Sequence, residues 1–89
     1  MKKMFRYRIY TEDMNYLKVT EKAISMFDGF TVFHTTGFWK GKREASIVIE
    51  WISHAHTWNF VLDLARWIQV YNNQESVMIT KDRVDTEFV

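Results

Sequence analysis

The sequence predicts an α+β sandwich of the order β-α-β-β-α-β, in which a four-stranded antiparallel sheet carries two helices on one face. Three observations support this prediction. Apolar residues alternate with polar ones in the segments expected to be strands. They recur at helical spacing in two longer segments between those strands. The chain has 89 residues, enough for one modest hydrophobic core, so we expect a single domain over residues 1–89.

The first strand and the first helix occupy the N-terminal third of the chain. Residues 5–9 alternate between apolar side chains and arginines, which is typical of a strand with one apolar face. We interpret Glu12 and Asp13 as helix-capping residues, with Asp13 at the N-cap. The core-facing positions that follow at helical spacing are Tyr16, Val19, Thr20, Ala23, Ile24 and Phe27. Gly29 is expected to end this helix in the left-handed conformation.

Two further strands and a basic segment follow. Residues 30–33 start the second strand, and the alternating residues 44–52 form the third. Between them, residues 35–43 contain two closely spaced glycines and three basic side chains. This composition predicts a loop or an irregular hairpin tip.

The second helix begins after a turn that Ser53 or Thr57 caps. Its expected core stripe is Trp58, Val61, Leu62, Ala65 and Ile68. A wider apolar arc adds Phe60, Leu64, Trp67 and Tyr71. The asparagines at 72–73 end the helix, residues 76–80 form a short fourth strand, and residues 82–89 form a C-terminal tail.

This order of elements, joined by right-handed crossovers, is that of the ferredoxin-like sandwich. Such a sandwich leaves one face of its sheet without helices. Here that face would carry aromatic and β-branched side chains. Because an uncovered apolar face is unfavourable in water, we predict a homo-oligomer.

The composition excludes several classes of protein. The chain has no cysteine, which rules out disulfides, cysteine-zinc sites, iron–sulfur clusters and thiol catalysis. Twelve basic and eleven acidic side chains give a net charge of +1, so nucleic acid is not an expected partner. No apolar run approaches the about 20 residues of a membrane span, and Arg6 and Arg8 interrupt any signal-peptide core. We therefore expect a cytoplasmic protein with no membrane partner.

Residues 37–44 are the strongest candidate for a binding site. The basic side chains in this segment, which suit a phosphate or a carboxylate, are Lys40, Lys42 and Arg43. Phe38 and Trp39 offer ring faces to an adenine or a sulfonium, and Glu44 suits a ribose or an ammonium. An equally strong alternative is structural: the glycines form a hairpin, Glu44 pairs with a basic neighbour, and Trp39 belongs to the core.

The three histidines predict no metal site. His54 and His56 stand two residues apart and could share a metal ion, but no third ligand accompanies them, and His34 lies on another strand. We expect turn and capping roles for the pair, with no metal and no cofactor. The sequence leaves open whether the histidines have any function.

Short motifs along nearly the whole chain resemble a group of small phage and prophage proteins. Their FDGFT step corresponds to residues 27–31, and their glycine-tryptophan-lysine-glycine loop to residues 37–41. Their Glu-x-Ser strand start corresponds to residues 44–46, and their NQESV segment to residues 73–77. This group is PII-like, so the resemblance implies a ferredoxin-like homotrimer with ligand clefts between its subunits.

The chain is similar, more distantly, to phage-encoded S-adenosylmethionine lyases. These carry a Thr-Gly-x-Tyr step and a glutamate that opens the next strand. Thr36, Gly37 and Glu44 stand at the matching positions, with Trp39 in place of the tyrosine, and residues 74–77 also look like the lyase pattern. Such enzymes need no cofactor and split S-adenosylmethionine into methylthioadenosine and homoserine lactone. They thereby deprive host restriction enzymes of S-adenosylmethionine, which those enzymes use as a cofactor. The resemblance implies Glu44 as the catalytic residue. The substrate-binding residues that it implies are Thr36, Gly37, Phe38, Trp39, Lys40 and Gly41.

Two other functions stay open. Because Trp39 replaces the tyrosine while the basic glycine loop is retained, the same trimer could hold an adenine nucleotide or a related metabolite without turnover, as a sensor or a sponge. Alternatively, the chain could be a small phage inhibitor that docks on a host protein through its aromatic sheet face. In the lyase and sensor hypotheses the partner is a small molecule of adenosine type.

Overall fold

One antiparallel sheet with the strand order β2-β3-β1-β4 organises the computed structural model, which describes residues 1–89. The strands are β1 (Lys2–Glu12), β2 (Thr31–Trp39), β3 (Lys42–Ser53) and β4 (Met78–Thr86). The helices are α1 (Tyr16–Met26) and α2 (Trp58–Tyr71), and both pack on the same face of the sheet. The predicted ferredoxin-like fold class is confirmed.

The hydrophobic core lies between the sheet and the two helices. Alternate residues of the central strands β1 and β3 face it, and the fully buried ones are Tyr7, Ile9, Ile47 and Ile49. The buried helix residues are Val19, Ala23, Val61, Leu64, Ala65 and Ile68. Ile24 was expected in this core but is 67% exposed, because α1 buries only Val19 and Ala23 against the sheet.

Both ends of α1 differ from the prediction. The N-cap is Asn15, at φ 53°, and not Asp13. The backbone N–H of Asp13 instead donates to the carbonyl of Ala45 at 3.0 Å, so Asp13 still belongs to the sheet hydrogen bonding. At the other end, the extended backbone of Phe27 stops the helix, and Gly29 does not adopt the left-handed conformation. The caps predicted at Asp13 and Gly29 are therefore wrong.

The hairpin between β2 and β3 is longer and more regular than predicted. Residues 35–39 and 42–43, expected in a loop, pair in register from Thr35↔Ser46 to Trp39↔Lys42. Only Lys40 and Gly41 form the turn, with φ of 49° and 76°. Positive φ at both central residues is the pattern of a type I′ turn, whose twist matches that of the flanking strands. The β-branched and aromatic residues before the turn therefore continue β2 to its tip.

Strand β4 is also longer than predicted, since it extends through residues assigned to the C-terminal tail. It pairs with β1 as far as Lys2↔Thr86, so only residues 87–89 follow the last strand. Salt bridges from Lys3 to Asp85 and from Arg6 to Asp82 accompany this pairing.

The ends of α2 agree better with the prediction. Thr57 is the N-cap, and its backbone N–H donates to the hydroxyl of the buried Tyr7 at 3.2 Å. After the C-cap Asn72, Asn73 has a left-handed φ of 53°. The N–H of Asn73 donates to the carbonyl of Val70, and that of Gln74 donates to the carbonyl of Gln69 at 2.9 Å. These two bonds form a Schellman motif, which fixes the direction of the chain as it leaves α2.

The face of the sheet opposite the helices is uncovered in the single chain. Its exposed apolar side chains include Phe33, Ile52 and Met78. Ion pairs between Arg8 and Glu50 and between Arg6 and Asp82 lie among them. We call this surface the open face. Neither helix combines the length and the apolar character that crossing a membrane requires.

Candidate functional site

A cavity of about 410 Å³ lies on the open face, at the end of the sheet that carries the β2–β3 hairpin. The end of β1 contributes Tyr10, Thr11 and Glu12. The hairpin contributes Gly37, Phe38, Trp39, Glu44 and Ser46. The segment between α2 and β4, with the start of β4, contributes Gln74, Glu75, Ser76 and Met78. Three separate parts of the sequence therefore meet around one cavity of the size that small ligands occupy.

Strand register brings these residues together on one face. Glu12 pairs with Ser46, Gly37 with Glu44, and Tyr10 with Met78. Directly paired residues of antiparallel strands point to the same face of the sheet. Since Ile9 and Ile47, each one position away, face the core, these six residues face away from the helices.

Gly37 leaves space at the edge of the cavity that a larger residue would occupy. A Cβ at this position would lie 3.3 Å from Oγ of Ser46, closer than an ordinary contact. The Ser46 hydroxyl is itself hydrogen-bonded to that of Thr35 at 2.8 Å, so it is not free to give way. Glycine at position 37 therefore avoids a close contact with Ser46 and keeps this edge of the cavity open.

The structure brings together four of the seven site residues predicted from the sequence. Gly37, Trp39 and Glu44 line the cavity, and Phe38, which strand alternation directs to the other face from Trp39, also borders it. The predicted residues that do not line it are Thr36, Lys40 and Gly41. Thr36 is on the face opposite Gly37, and the other two form the turn beyond the cavity.

The cavity is acidic. Glu12, Glu44 and Glu75 line it, and none of their carboxylates makes an ion pair with a side chain of this protein. No lysine, arginine or histidine lines it. Lys42 and Arg43 lie nearby on β3 without acidic partners, so the alternative pairing of Glu44 with a basic neighbour is not formed. An acidic cavity favours a cationic ligand over an anionic one.

Aromatic and thioether side chains complete the walls. Trp39 is 58% exposed, and the ammonium of Lys40 lies 5.7 Å from its ring centroid. Tyr10 and Met78 pair on the opposite side of the cavity, across β1 and β4. These faces suit a flat ring or a sulfonium group.

Arg8 lies on the open face, next to the cavity, and is paired with Glu50. Its Nε donates to a carboxylate oxygen of Glu50 at 2.7 Å. Hydrogen bonding to Glu50, and then to Tyr10, raises the pKa of Arg8 above its ordinary value. The guanidinium therefore stays charged beside Glu50.

The histidines do not approach one another at the cavity. His34 Nδ1 lies 3.6 Å from Oδ2 of Asp13, and the ring of His56 packs on Phe5 at 4.7 Å between centroids. No group of three histidine, aspartate or glutamate side chains is arranged to hold a metal ion.

Sequence reasoning missed the residues that other strands bring to the cavity. Glu12 is interpreted from the sequence as a capping residue, and Tyr10 is not among the predicted site residues, yet both line the cavity. The sequence did carry a signal for the part of the cavity that the segment between α2 and β4 forms. Gln74, Glu75 and Ser76 belong to a segment that resembles the lyases. Nothing in the local sequence indicated that this segment lies opposite the hairpin.

No protein-family model matches this chain, and no curated protein matches it either. Solved structures do share its fold. A DUF3240 family protein from Shewanella baltica OS155 has a TM-score of 0.73 at 10% identity, covering 100% of this chain and 98% of that one. A phage S-adenosylmethionine lyase in complex with S-methyl-5′-thioadenosine has a TM-score of 0.68 at 17% identity, covering 89% and 80%.

A third solved structure is CPII, a nitrogen regulatory PII-like protein from Thiomonas intermedia K12 bound to ADP, AMP and bicarbonate. It has a TM-score of 0.64 at 15% identity and covers 98% of both chains. At these identities the likeness shows the fold alone. The chain therefore has a PII-like variant of the ferredoxin-like fold.

Proposed function

We propose that the protein is an S-adenosylmethionine lyase that cleaves its substrate into methylthioadenosine and homoserine lactone. The reaction takes place in the acidic cavity, within clefts between the subunits of a homotrimer. In the cytoplasm of a host cell, this activity would remove the methyl donor on which restriction enzymes depend.

The reaction needs little chemistry from the protein. An oxygen of the substrate's own carboxylate attacks the γ-carbon, and the bond between that carbon and the sulfonium sulfur breaks. The sulfur keeps the electron pair and becomes the neutral thioether of methylthioadenosine, while the attacking chain closes as homoserine lactone. No proton transfer, metal or cofactor is required. The protein has to hold the flexible substrate in its reactive shape, away from water.

The charge of the cavity carries this proposal. S-adenosylmethionine has two positive charges, on its sulfonium and on its ammonium. The cavity offers the carboxylates of Glu12, Glu44 and Glu75 and no cationic side chain. Such a site attracts this substrate and repels a triphosphate. The lyase with the same fold that holds S-methyl-5′-thioadenosine supports the choice of ligand.

Glu44 is the proposed catalytic residue, and it orients the substrate through its ammonium or its ribose. Its carboxylate is half-buried and has no partner that the substrate must displace. Trp39 and Phe38 pack against the adenine or the sulfonium, and Gly37 leaves them room. The predicted residues outside the cavity of the single chain are proposed to complete a cleft with a neighbouring subunit: Thr36, Lys40 and Gly41.

Incubation of the purified protein with S-adenosylmethionine, followed by chromatography, tests the proposal. We expect methylthioadenosine from the wild type and a decrease in kcat/KM of at least about 100-fold for Glu44→Gln, because the group that orients the substrate in its reactive shape is lost. Asp63→Asn, which removes a charge from the exposed surface of α2, is the matched control and should keep the wild-type rate. Absence of product at high enzyme concentration would overturn the proposal.

A second candidate function is the binding of an adenine nucleotide without turnover. It is favoured by the three hairpin cations without acidic partners, Lys40, Lys42 and Arg43. CPII, which was solved with ADP and AMP, has the same fold. A thermal-shift panel separates the two functions, since a ligand at about 100 times its Kd stabilises by roughly 2.7 kcal/mol. A larger shift with ADP or ATP than with S-adenosylmethionine, together with no product, favours the nucleotide.

A further inference from the structure

A chain of hydrogen-bonded, partly buried amide and hydroxyl groups ends at the wall of the cavity. It runs from Asn15, the N-cap of α1, through Asn72, the C-cap of α2, to Gln74 and Thr11. Thr11 and Asn72 are the buried polar residues of this protein, each 4% exposed. Buried polar groups are costly unless they are paired, so the orientation of each amide along this chain is determined by its neighbours.

The backbone carbonyl of Met14 sets the first orientation, because a carbonyl can only accept. The amide group of Asn72 that lies 3.3 Å from this oxygen is therefore its donor, Nδ2. Its Oδ1 then accepts from Nδ2 of Asn15 at 2.9 Å. The second hydrogen on Nδ2 of Asn72 is directed to Gln74, 3.4 Å away, which must present its oxygen.

The orientation of the Gln74 amide follows from these contacts. Its Oε1 accepts from Asn72 and also from the hydroxyl of Thr11 at 2.6 Å. Its Nε2 makes no hydrogen bond within the protein, and Gln74 lines the cavity. The Schellman motif holds the backbone of Gln74 as well, through the carbonyl of Gln69. The side chain is thus fixed at both ends, with its two N–H donors unused.

We propose that Gln74 determines ligand specificity by donating a hydrogen bond from Nε2 to a ring nitrogen of the adenine. Asn72 and Thr11 are the positioning residues that fix the direction of this donor. The assignment rests on the proposed function, since it takes the cavity as the site of an adenosine-type ligand. It adds which part of the ligand lies against the β4 side of the cavity.

The chemistry of the surrounding residues selects a ring nitrogen over the other acceptors of such a ligand. A ligand carboxylate at this position would be repelled by Glu12 and Glu75, which also line the cavity. Ribose hydroxyls can donate to those carboxylates and do not need an amide donor. A ring nitrogen only accepts, and Tyr10 and Met78 beside Gln74 offer flat and apolar surfaces for a base.

The direction of the amide can be tested without any ligand. In Gln74→Glu the carboxylate still accepts from Thr11 and Asn72, so we expect a Tm within about 2 °C of the wild type. In Gln74→Met both buried donors lose their partner, and the Tm should fall by about 5 °C or more. Measurements in about 0.5 M NaCl screen the repulsion that the added charge meets from Glu12 and Glu75.

Gln69→Glu is the matched control. It introduces the same charge near the same helix end, but the amide of Gln69 donates from Nε2 to the carbonyl of Glu75 at 2.9 Å. Since a carboxylate cannot donate, this variant should lose stability where Gln74→Glu does not. A Tm for Gln74→Glu as low as that for Gln74→Met would overturn the orientation of the amide and with it the proposal.

The ligand contact is tested by calorimetry with adenosine and with three analogues in which N1, N3 or N7 is replaced by CH. We expect one analogue to bind the wild type about 10-fold more weakly, corresponding to one lost hydrogen bond. Gln74→Met should bind adenosine and the three analogues equally well. Gln74→Glu should bind adenosine more weakly than Gln74→Met does. Equal binding of all four nucleosides, or discrimination that survives in Gln74→Met, overturns the ring-nitrogen contact.

Together, the Tm measurements and the calorimetry distinguish failure of this inference from failure of the proposed function. If neither adenosine nor methylthioadenosine binds the wild type, the proposed function and the ring-nitrogen contact both fail, while the order of the Tm values still decides the orientation of Gln74. If both bind and the analogues do not differ, the proposed function stands and the specificity role of Gln74 is wrong.

Discussion

The two faces of the sheet are built from the same strands but have different surroundings. On the helix side, alternate residues of β1 and β3, such as Ile9 and Ile49, are fully buried. Their immediate neighbours on the open face are charged or half-buried, such as Arg8, Tyr10 and Val48. A single alternating pattern thus produces a dry core on one side and, on the other, a surface that mixes apolar side chains with ion pairs.

Because of this difference, the residues that stabilise the fold and the residues of the candidate site lie mainly on opposite faces of the sheet. The free energy of folding comes mainly from the helix side, where apolar area is removed from water. The ion pairs of the open face are partly exposed in the single chain and contribute less. The cavity lies on the open face, so most of its residues can vary in charge and shape without disturbing the core; the exceptions are the buried Thr11 and its partner Gln74. We expect substitutions on the two faces to have different consequences, and adjacent residues provide the sharpest tests.

The largest expected effect is on the helix side. Ile49→Ala should lower the free energy of unfolding by about 2–5 kcal/mol, since it leaves a cavity in a close-packed core. Val48→Ala, one position away on the open face, should cost about 1 kcal/mol or less because this side chain is already half-exposed in the single chain. Urea denaturation measures both, at an equal protein concentration that is low enough for the single chain to predominate. Equal losses would contradict the division between the faces.

The next effect concerns assembly through the open face. Val48 lies between Phe33 on β2 and Tyr10 on β1, near the centre of this face. Val48→Lys should reduce the mass measured by light scattering from three chains to one, because a buried ammonium is costly. Leu17→Lys on α1, where the side chain is 74% exposed, is the control and should leave the mass unchanged. A monomeric wild type at micromolar concentration would refute the expected trimer.

A smaller effect is expected in the cavity itself. Gly37→Ala places a Cβ 3.3 Å from Oγ of Ser46 and narrows the site. We expect binding of methylthioadenosine to weaken by about 10-fold, while the stability changes by no more than about 1 kcal/mol because alanine is preferred to glycine within a strand. Gly29→Ala, whose Cβ would meet nothing within 4 Å, is the matched control. Unchanged affinity in Gly37→Ala would place the ligand elsewhere.

The smallest effect is expected for the ion pair of Arg8 and Glu50. Glu50→Gln should lower the Tm only slightly, and added salt should reduce the difference. The raised pKa of Arg8 means that its contribution is fully present below its ordinary pKa and is lost only when the pH rises through the raised value. The difference in Tm between the variant and the wild type should therefore be the same at roughly pH 7 and pH 9. A difference that disappears over this interval would argue against the pairing.

Hydropathy patterns were sufficient for the order of the elements and for the core. Alternation identified Tyr7, Ile9, Ile47 and Ile49, because a residue's position in a strand decides its face. Element ends were predicted less well. Asp13 is a good capping residue by type, but its N–H donates to Ala45 on another strand, so a contact distant in sequence decides where α1 begins.

The candidate site was predictable where its residues are local in sequence. Gly37, Trp39 and Glu44 belong to one hairpin, and a short motif with a resemblance to known proteins indicated them. Tyr10 carries no such local signal, and the segment of Gln74, although it resembles the lyases, does not indicate that it lies opposite the hairpin. Their place at the cavity depends on β1 pairing with β3 on one side and with β4 on the other.

By itself, the sequence determined the fold class and the composition of each face, because strand and helix periodicities are properties of neighbouring residues. Only the tertiary structure decided the acidity of the cavity and the direction of the Gln74 amide. Three unpaired carboxylates come from three separate segments, and the amide is oriented through the distant carbonyl of Met14. The relative positions of such groups are set by strand pairing and packing, and no stretch of neighbouring residues contains that information.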